Sequence, residues 1–436
     1  MVNQKKICPT NILFFLIIIL NSYEFAYSKT LSEENTNLIE KTISLVDKEY
    51  IEETEQDELI ESALNGMLQS LDPHSIYLPP KEFENLQNAT SGQFAGLGIE
   101  VTMENGVIKV ISPIDDSPAE KVGINAGDYI THINHEQILG KSLSEAVELM
   151  RGEPKTEITI TIVRKEIDDA FDIKIVREII NIPGVKTKIE GKNNSIGYIR
   201  ISAFNEKTSE KLFEELYLNK NDINQSIKGY ILDLRRNPGG LLRQAIEVSN
   251  MFLDDGEIVS TKRPRFNEKI RSFDAKKGDI IDGKPLIILV NGGSASASEI
   301  VAGALQDNNR AIIIGTRTFG KGSVQTLFPL NKNNIFFPSS KNLGAIKLTT
   351  AEYFTPSGRS IQAEGIMPDF VIEQVLDEKD DPNYYKVGET QLNKFIKKKD
   401  QLDTESGSSA FIPEDEKNDI QLNLAIRILE NLFSNI

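Results

Sequence analysis

Apolar residues recur every three or four positions in two stretches near the start of the chain, 37–50 and 58–71. This spacing places the apolar side chains on one face of a helix, so it predicts two amphipathic helices. Asp72 and Pro73 end the second helix, because proline cannot continue it. We interpret residues 29–90 as an N-terminal helical arm.

From about residue 91 the pattern changes to short runs in which apolar and polar residues alternate, which is typical of half-buried strands. Strands are predicted at 99–102, 107–111, 129–133 and 157–163. An amphipathic helix is predicted at 142–150, where Ser144 and Glu145 suit a helix N-terminus. Residues 91–178 therefore make up a small β-barrel domain with one helix.

The next 200 residues alternate between near-continuous apolar runs and helical patterns. Strands buried on both faces are predicted at 230–234, 286–290 and 311–315, and helices at 241–252 and 297–308. This alternation indicates an α/β core over residues 179–375. Residues 376–436 are a polar tail that ends in a helix at 421–432.

The N-terminus has the three parts of a secretory signal. Lys5 and Lys6 precede a short apolar run at 12–20, and the small residues Ala26 and Ser28 follow it. The run is shorter than a membrane span requires. We expect residues 1–28 to be a signal peptide; the alternative is an uncleaved N-terminal anchor.

Charge and cysteine content exclude several classes of function. The formal net charge is −16, which disfavours non-specific binding to nucleic acid. Loss of residues 1–28 removes two lysines and one glutamate, and the charge becomes −17. It also removes Cys8, the only cysteine, so we expect no thiol nucleophile, disulfide or cysteine metal site. Export away from ATP disfavours an ATP-driven mechanism.

The segment NGGSASASE at 291–299 connects a predicted buried strand to a helix. Such turns lie at the carboxyl edge of the sheet, where α/β proteins bind substrates. The free N–H groups of a helix N-terminus can stabilise an oxyanion, so a serine here is a candidate nucleophile. The local pattern does not choose among Ser294, Ser296 and Ser298, and it also fits an ordinary helix cap.

The segment TRTFGKGSVQ at 316–325 contains a candidate base, Lys321, between Gly320 and Gly322. An apolar environment disfavours the charged form of lysine, which lowers its pKa and lets it activate a serine. Gln325 is a candidate for orienting the amine. A surface turn and a phosphate-binding loop are the alternatives, although the glycine spacing of a phosphate loop is missing.

Histidine placement supports lysine as the base. The three histidines, His74, His132 and His135, lie outside the predicted α/β core, so a Ser–His–Asp arrangement is not expected. None of them has a carboxylate at metal-ligand spacing, and we expect no metal.

Two glycine-containing segments are candidates for binding. In DLRRNPGG at 233–240, Gly239 and Gly240 are placed to turn N–H groups toward an oxyanion; a plain strand–helix connection is the alternative. In GQFAGLGI at 92–99, a glycine loop precedes a strand. Such a loop beside a free sheet edge favours a peptide C-terminus that adds as an extra strand.

Several longer motifs follow one another along the chain. They are LDPHSIYL at 71–78, GLGI at 96–99, SPAEKVG at 117–123, DLRRNPGGLL at 233–242, SASASEI at 294–300, TFGKGSVQ at 318–325, YFTPSGRSIQ at 353–362 and DIQL at 419–422. In content and order they resemble the carboxyl-terminal processing peptidases, also called tail-specific proteases. The resemblance implies a serine endopeptidase that recognises protein or peptide substrates by their C-termini and needs no cofactor.

The resemblance also implies residue roles. Ser296 is the nucleophile, Lys321 the general base and Gln325 the third member of the site. Ala297, with Gly239 or Gly240, resembles the oxyanion hole.

The implied fold is an α/β protease core of crotonase- and ClpP-like βαβ units, with a PDZ-like β-barrel domain and helical N- and C-terminal arms. In the PDZ-like domain the substrate carboxylate is bound by the loop of Gly96, Leu97, Gly98 and Ile99. Arg151 matches an arginine that helps to hold the active arrangement, and His74 becomes a scaffold residue. Arg236 departs from the smaller polar residue that members often carry.

The predicted signal peptide implies export, and we expect the protein in the periplasm or cell envelope of a bacterium. A homodimer, a regulatory partner and peripheral association with the membrane are further expectations. Three other hypotheses stay open: a catalytically silent PDZ scaffold, an acyl-thioester enzyme of the crotonase type, and a latent protease that needs a partner.

Overall fold

The computed structural model describes residues 31–104, 106–114, 117–141, 143–165, 167, 169–181, 184–217, 227–263, 268–331, 341–376, 386–397, 407–413 and 415–434. The predicted signal peptide at 1–28 lies outside the described residues. The chain divides into two compact units, Met1–Leu64 and Asn65–Ile436. Within the described ranges, no helix combines the length and apolar character that a membrane span requires.

The described part of the first unit consists of helix α1 (Glu33–Glu49) and the first turns of helix α2 (Gln56–Gln69). The side chain of Ser32 caps α1 by accepting a hydrogen bond from the N–H of Asn35 at 3.2 Å. Both predicted helices are confirmed. No residue of α1 is buried, so its apolar stripe is exposed on this chain.

The second unit contains a short strand, β1 (Ile76–Leu78), before helix α3 (Pro80–Ser91). β1 pairs antiparallel with residues 345–347. The prediction of a helical arm throughout residues 29–90 is therefore wrong at β1. Three residues are too few to show a period, and the partner of β1 lies far along the chain.

An antiparallel β-domain follows. Its elements are β2 (Gln93–Gly96), β3 (Ile99–Glu104), β4 (Val107–Pro113), α4 (Pro118–Lys121), β5 (Tyr129–Ile133), β6 (Glu136–Gln137), α5 (Leu143–Met150), β7 (Glu157–Val163), β8 (Phe171–Val176) and β9 (Glu178–Asn181). The main sheet has the order β3-β4-β5-β7-β8, while β6 pairs with β5 and β2 with β9. Ile158, Ile160 and Ile162 alternate into its core, as the period of two predicts.

The remaining elements alternate strands and helices. They are β10 (Val185–Glu190), a 3₁₀ turn (Lys192–Asn194), β11 (Ile196–Ile201), α6 (Thr208–Tyr217), β12 (Gly229–Asp233), α7 (Leu242–Asn250), β13 (Glu257–Arg263), β14 (Glu268–Asp274), β15 (Leu286–Val290), α8 (Ala297–Asp307), β16 (Ile312–Gly315), β17 (Ser323–Pro329), β18 (Ala345–Phe354), β19 (Phe370–Val371), β20 (Lys386–Val387), a 3₁₀ turn (Glu389–Gln391), β21 (Ser408–Ser409), a 3₁₀ turn (Glu416–Asn418) and α9 (Ile420–Ser434).

The central sheet has the order β10-β11-β12-β15-β16-β19 and is parallel except for β10. Helices α6, α7 and α8 pack on one face and α9 packs on the other. Neighbouring residues of β12, Ile231 and Leu232, face opposite layers, and both are fully buried. Burial on both faces explains the near-continuous apolar runs and confirms the predicted α/β core.

A second, antiparallel sheet has the order β1-β18-β13-β14, and β17 pairs with β18. This sheet was not predicted from the sequence. Much of β17 and β18 is half-exposed and carries polar residues, so their apolar pattern is weak. The sheet matters here because β17 follows Lys321 and carries Gln325.

A buried ion network attaches the C-terminal helix to the central sheet. Arg235 Nη2 lies 2.6 Å from Asp233 Oδ2 and 2.8 Å from Asp419 Oδ2. All three side chains are almost fully buried, so loss of one would leave an unpaired charge in the interior. The network explains why Asp419, which directly precedes α9 in the polar tail, belongs to the buried core.

We predict that Leu429→Ala in α9 lowers the free energy of unfolding by about 2–4 kcal/mol, since Leu429 is 0% exposed and its loss leaves a cavity. Leu432→Ala is the matched control, because Leu432 is 42% exposed on the same helix. Urea denaturation measures both. Equal losses for the two variants would contradict the placement of α9 against the sheet.

Candidate active site

Ser296 stands between β15 and α8 in a strained backbone conformation. Its φ is 53° and its ψ is −110°, which non-glycine residues rarely adopt. The flanking serines are fully buried and engaged: Ser294 Oγ donates to Leu234 O at 2.8 Å, and Ser298 Oγ donates to Asn237 O at 2.9 Å. Ser296 is only half-buried. The geometry thus distinguishes three serines that the local sequence pattern could not.

The turn that carries Gly239 and Gly240 packs against Ser296. A Cβ on Gly239 would lie 2.8 Å from Ser296 Cβ and 2.9 Å from Ala297 N, so only glycine permits this approach. The N–H of Gly239 donates to Asn237 Oδ1 at 2.9 Å. Within the described chain, the N–H groups of Gly240 and Ala297 have no acceptor. In this arrangement two of the three predicted oxyanion donors are available.

Lys321 follows β16, and its side chain is half-buried. Burial lowers its pKa, and the charge of Lys347 lowers it further. The carboxylates of Glu389, Glu299 and Asp72 act in the opposite direction. Among the described residues no hydrogen bond joins Lys321 Nζ to Ser296 Oγ, a contact that often tightens only when substrate is bound.

The carboxylate of Glu299, on the first turn of α8, connects the two candidate residues. Glu299 Oε2 accepts from the N–H of Ser296 at 2.8 Å and from the N–H of Lys321 at 2.9 Å. Glu299 Oε1 accepts from Thr318 Oγ1 at 2.6 Å and from the N–H of Gly320 at 2.7 Å. Burial raises the pKa of Glu299 to about 7, although these hydrogen bonds oppose the rise.

Sequence reasoning missed Glu299 as a site residue. The spacing Ser296-x-x-Glu299 is that of a capping box, in which the acidic side chain returns to the N–H of the capping residue. That signal was present in the sequence. It could not show that the same carboxylate also holds the loop of Lys321.

Gln325 lies on β17, but its amide does not contact the lysine in this arrangement. Gln325 Nε2 donates to Ser323 Oγ at 2.9 Å and to Thr349 Oγ1 at 3.2 Å. In the described part of the chain no hydrogen bond joins it to Lys321. The structure therefore places Gln325 near the lysine loop without the contact that would orient the amine.

His74 and the C-terminal tail form a second network beside the lysine loop. His74 Nε2 lies 2.9 Å from Glu389 Oε1, and Gln362 Nε2 donates to the same oxygen at 3.0 Å. Gln362 Oε1 accepts from the N–H of Gly322 at 3.0 Å. Glu389 is fully buried. The polar composition of residues 376–436 gave no sign that part of this tail lies beside the site.

A cavity of about 310 Å³ lies at the predicted carboxylate-binding loop. Gly96, Leu97, Gly98 and Ile99 line it, together with Val101, Val147, Met150 and Arg151 of the β-domain. The opposite wall contains Ala203 and Asn205 of the core. Apolar side chains between β3 and α5 beside a glycine loop suit the C-terminus of a peptide.

Phe204, between these two wall residues, is hydrogen-bonded to the turn that carries Gly239 and Gly240. The N–H of Phe204 donates to Gly239 O at 2.9 Å, and Phe204 O accepts from the N–H of Leu241 at 2.8 Å. One backbone segment therefore borders the peptide cavity and holds the turn beside Ser296.

Comparisons with known proteins identify the family of the chain. Family models for peptidase family S41, a PDZ domain and the N-terminal domain of the activating protease CtpB match residues 195–372, 95–175 and 21–81. A carboxy-terminal-processing protease of Bartonella bacilliformis is 53% identical over 386 residues, covering 87% of this chain and 85% of the relative. The chain belongs to the carboxy-terminal-processing proteases of peptidase family S41.

The protease also resembles a probable CtpA-like serine protease of Staphylococcus aureus, with 35% identity over 86% of this chain and 73% of the relative. In structure it is similar to the photosystem II D1 C-terminal processing protease, with 27% identity, 79% and 94% coverage of the two chains and a TM-score of 0.46. The predicted family, the fold class and the carboxyl-terminal processing activity are confirmed.

Glu299 makes a testable contribution to the pH dependence of stability. Its carboxyl titrates near 7 in the folded protease and near 4.5 in the unfolded chain, so unfolding releases a proton between these values. We expect the unfolding free energy of wild type, measured relative to Glu299→Gln, to fall by roughly 3 kcal/mol as pH rises from 4.5 to 7.

Urea denaturation at several pH values measures this difference. Glu206→Gln, at an exposed position, is the control. Its unfolding free energy should follow the same pH dependence as that of wild type. Parallel stability profiles for wild type and Glu299→Gln would contradict the raised pKa.

Proposed function

We propose that the protease cleaves protein substrates with Ser296 as nucleophile and Lys321 as general base, after its PDZ domain has bound the substrate C-terminus. The observation that carries this proposal is the position of Glu299. Its carboxylate accepts from the N–H groups of both residues, so it anchors the serine and the lysine loop to one point. The depressed pKa of Lys321 supports a neutral amine that can accept a proton.

The proposed reaction is acyl transfer. Neutral Lys321 takes the proton of Ser296 Oγ while this oxygen attacks the peptide carbonyl. The N–H groups of Ala297 and Gly240 stabilise the oxyanion. Lys321 then gives its proton to the leaving amine. In the second half of the reaction Lys321 takes a proton from water, which attacks the acyl-enzyme ester, and Lys321 returns this proton to Ser296 Oγ as the acid product leaves.

Gln325 is proposed to orient Lys321 once substrate is bound. Its Nε2 group donates to Ser323 and Thr349 in the present arrangement, so its carbonyl oxygen is the group that would accept from the lysine. Substrate binding at the cavity is proposed to bring Ser296 and Lys321 into contact. The Phe204–Gly239 hydrogen bond supports this coupling, because it links the cavity wall to the oxyanion turn.

We also propose that the protease is exported to the bacterial cell envelope and dimerises through its N-terminal arm. The lysines and apolar run before residue 28 support export. The exposed apolar stripe of α1 supports a partner, since Leu38 is 64% and Leu45 60% exposed. Regulation by a partner and peripheral membrane association rest on the family resemblance.

The catalytic assignment predicts that Ser296→Ala and Lys321→Ala each lower kcat/KM for an unfolded protein substrate by roughly a thousandfold or more. Cleavage is followed by mass spectrometry of the products. Wild-type activity should rise with pH as Lys321 loses its proton, since the charged amine cannot act as a base.

Ser298→Ala is the matched control and should retain most of the activity, because Ser298 donates to a buried carbonyl. Full activity in Lys321→Ala would overturn the base assignment. Inactive wild-type enzyme would instead favour the silent scaffold or the latent protease that needs a partner.

The PDZ assignment predicts that a peptide with a free apolar C-terminus binds at least about tenfold more tightly than its C-terminal amide, because the amide lacks the charge that the glycine loop receives. Fluorescence anisotropy with Ser296→Ala enzyme measures binding without cleavage. Val147→Glu should weaken binding because Val147 lines the cavity. Leu149→Glu, at an exposed position of the same helix, should not. Equal affinity for the acid and the amide would contradict the assignment.

A further inference from the structure

A second lysine lies on β18, the strand that pairs with β17. Lys347 of β18 is directly opposite Leu327 of β17 on one side and Ile76 of β1 on the other. Directly opposite residues share one face of an antiparallel sheet. Two positions along, Thr349 is opposite Gln325, and their side chains are hydrogen-bonded. Lys347 therefore lies on the same sheet face as Gln325, between two aliphatic side chains.

The charged groups around Lys321 come from four parts of the chain. Lys347 is contributed by β18, Glu299 by α8, Glu389 by the tail and Asp72 by the segment before β1. Glu389 is paired with His74 at 2.9 Å, and Glu299 is held by backbone N–H groups. The three carboxylates favour the charged form of Lys321, and the positive charge of Lys347 disfavours it.

Asp72 is the carboxylate on the side of Lys347. It is 5% exposed and accepts from Ser75 Oγ at 2.7 Å and from Thr349 Oγ1 at 3.1 Å. Thr349 is two residues from Lys347 on the same face, so these hydrogen bonds keep Asp72 next to that part of β18.

Both lysines have pKa values below the usual value for lysine. Burial lowers the pKa of each, and the charge of Lys347 is the next largest cause of the low pKa of Lys321. For Lys347, Asp72 opposes the effect of burial. The charge of Lys347 therefore disfavours a proton on Lys321, because two cations repel each other.

We propose that Lys347 is a positioning residue of the protease. Its ammonium group, on the sheet face of Gln325 and near Asp72, opposes a second positive charge at the amine of Lys321, so that this amine can accept the Ser296 proton. This inference rests on the proposed role of Lys321 as the base. Lys347 acts through its charge on Lys321, in the way that a neighbouring cation activates a lysine nucleophile in other enzymes. It assigns a function to a lysine that the sequence motifs left without one.

The test compares the pH dependence of kcat/KM for wild type, Lys347→Met and Lys347→Arg between pH 6 and 10.5. The probe is an internally quenched peptide with a free apolar C-terminus and no ionisable side chain. Its carboxylate titrates near pH 3.5, so the profile reports groups of the free enzyme. Lys186→Met, an exposed lysine on β10, is the control for loss of one surface charge.

We expect Lys347→Met to move the acidic limb of the profile to higher pH by about one unit. At pH values on this limb kcat/KM should be about tenfold lower than in wild type, and on the plateau it should be near the wild-type value. Lys347→Arg and Lys186→Met should retain the wild-type limb. Thermal unfolding checks that each variant is folded, and Lys347→Gln provides the same comparison with a polar side chain.

An unchanged limb in Lys347→Met, or an equal loss of activity at every pH, would overturn the inference, because a purely structural role lowers activity without moving the profile. Lys321→Ala separates this failure from failure of the proposed function. If Lys321→Ala retains the activity and the acidic limb of wild type, then Lys321 is not the base. If it is inactive while Lys347→Met is unshifted, only the role of Lys347 is rejected.

Discussion

The hydrogen bonds of one buried carboxylate are the constraint on which the candidate site depends. Glu299 receives N–H groups from the turn of Ser296 on one side and from the loop of Lys321 on the other. These segments follow different strands, β15 and β16, and they are also joined by the hydrogen bond from the N–H of Phe319 to Ser294 O at 3.0 Å. An anion buried without these donors would be costly, so each loop is held where it can donate. The strained φ of Ser296 persists because the surrounding hydrogen bonds enforce it.

Around this anchor, the fold assembles groups that are far apart in the chain. Lys347 and Thr349 come from the antiparallel sheet, Asp72 and His74 from the segment before β1, and Glu389 from the tail. The result is a balance of charge at Lys321, with carboxylates that favour its ammonium form and a neighbouring cation and burial that disfavour it. A protease that uses lysine as a base near neutral pH needs burial and the neighbouring cation to outweigh the carboxylates.

The peptide cavity and the site are joined by covalent structure as well as by packing. Ala203 and Asn205 border the cavity, and Phe204 between them is hydrogen-bonded to the turn of Gly239. The backbone of Gly239 packs so closely against Ser296 that a Cβ on Gly239 would clash. Movement of the Phe204 segment would therefore displace the backbone next to Ser296. The protease therefore has a short physical connection between substrate recognition and the proposed oxyanion hole.

The sequence by itself determined the central architecture and supplied the candidate site residues. The apolar runs at 286–290 and 230–234 predicted buried strands, and the alternation at 157–163 predicted a half-buried one. The ordered motifs, through their resemblance to a family, made Ser296 and Lys321 the candidates for nucleophile and base. Tertiary structure alone decided the antiparallel sheet, the engagement of Ser294 and Ser298, the double role of Glu299, and the approach of Glu389 and Lys347. Periodicity reports which face of an element is buried, because that depends on neighbours three or four residues away. Hydrogen bonds and charges between segments hundreds of residues apart leave no such period, so only the folded chain brings them together.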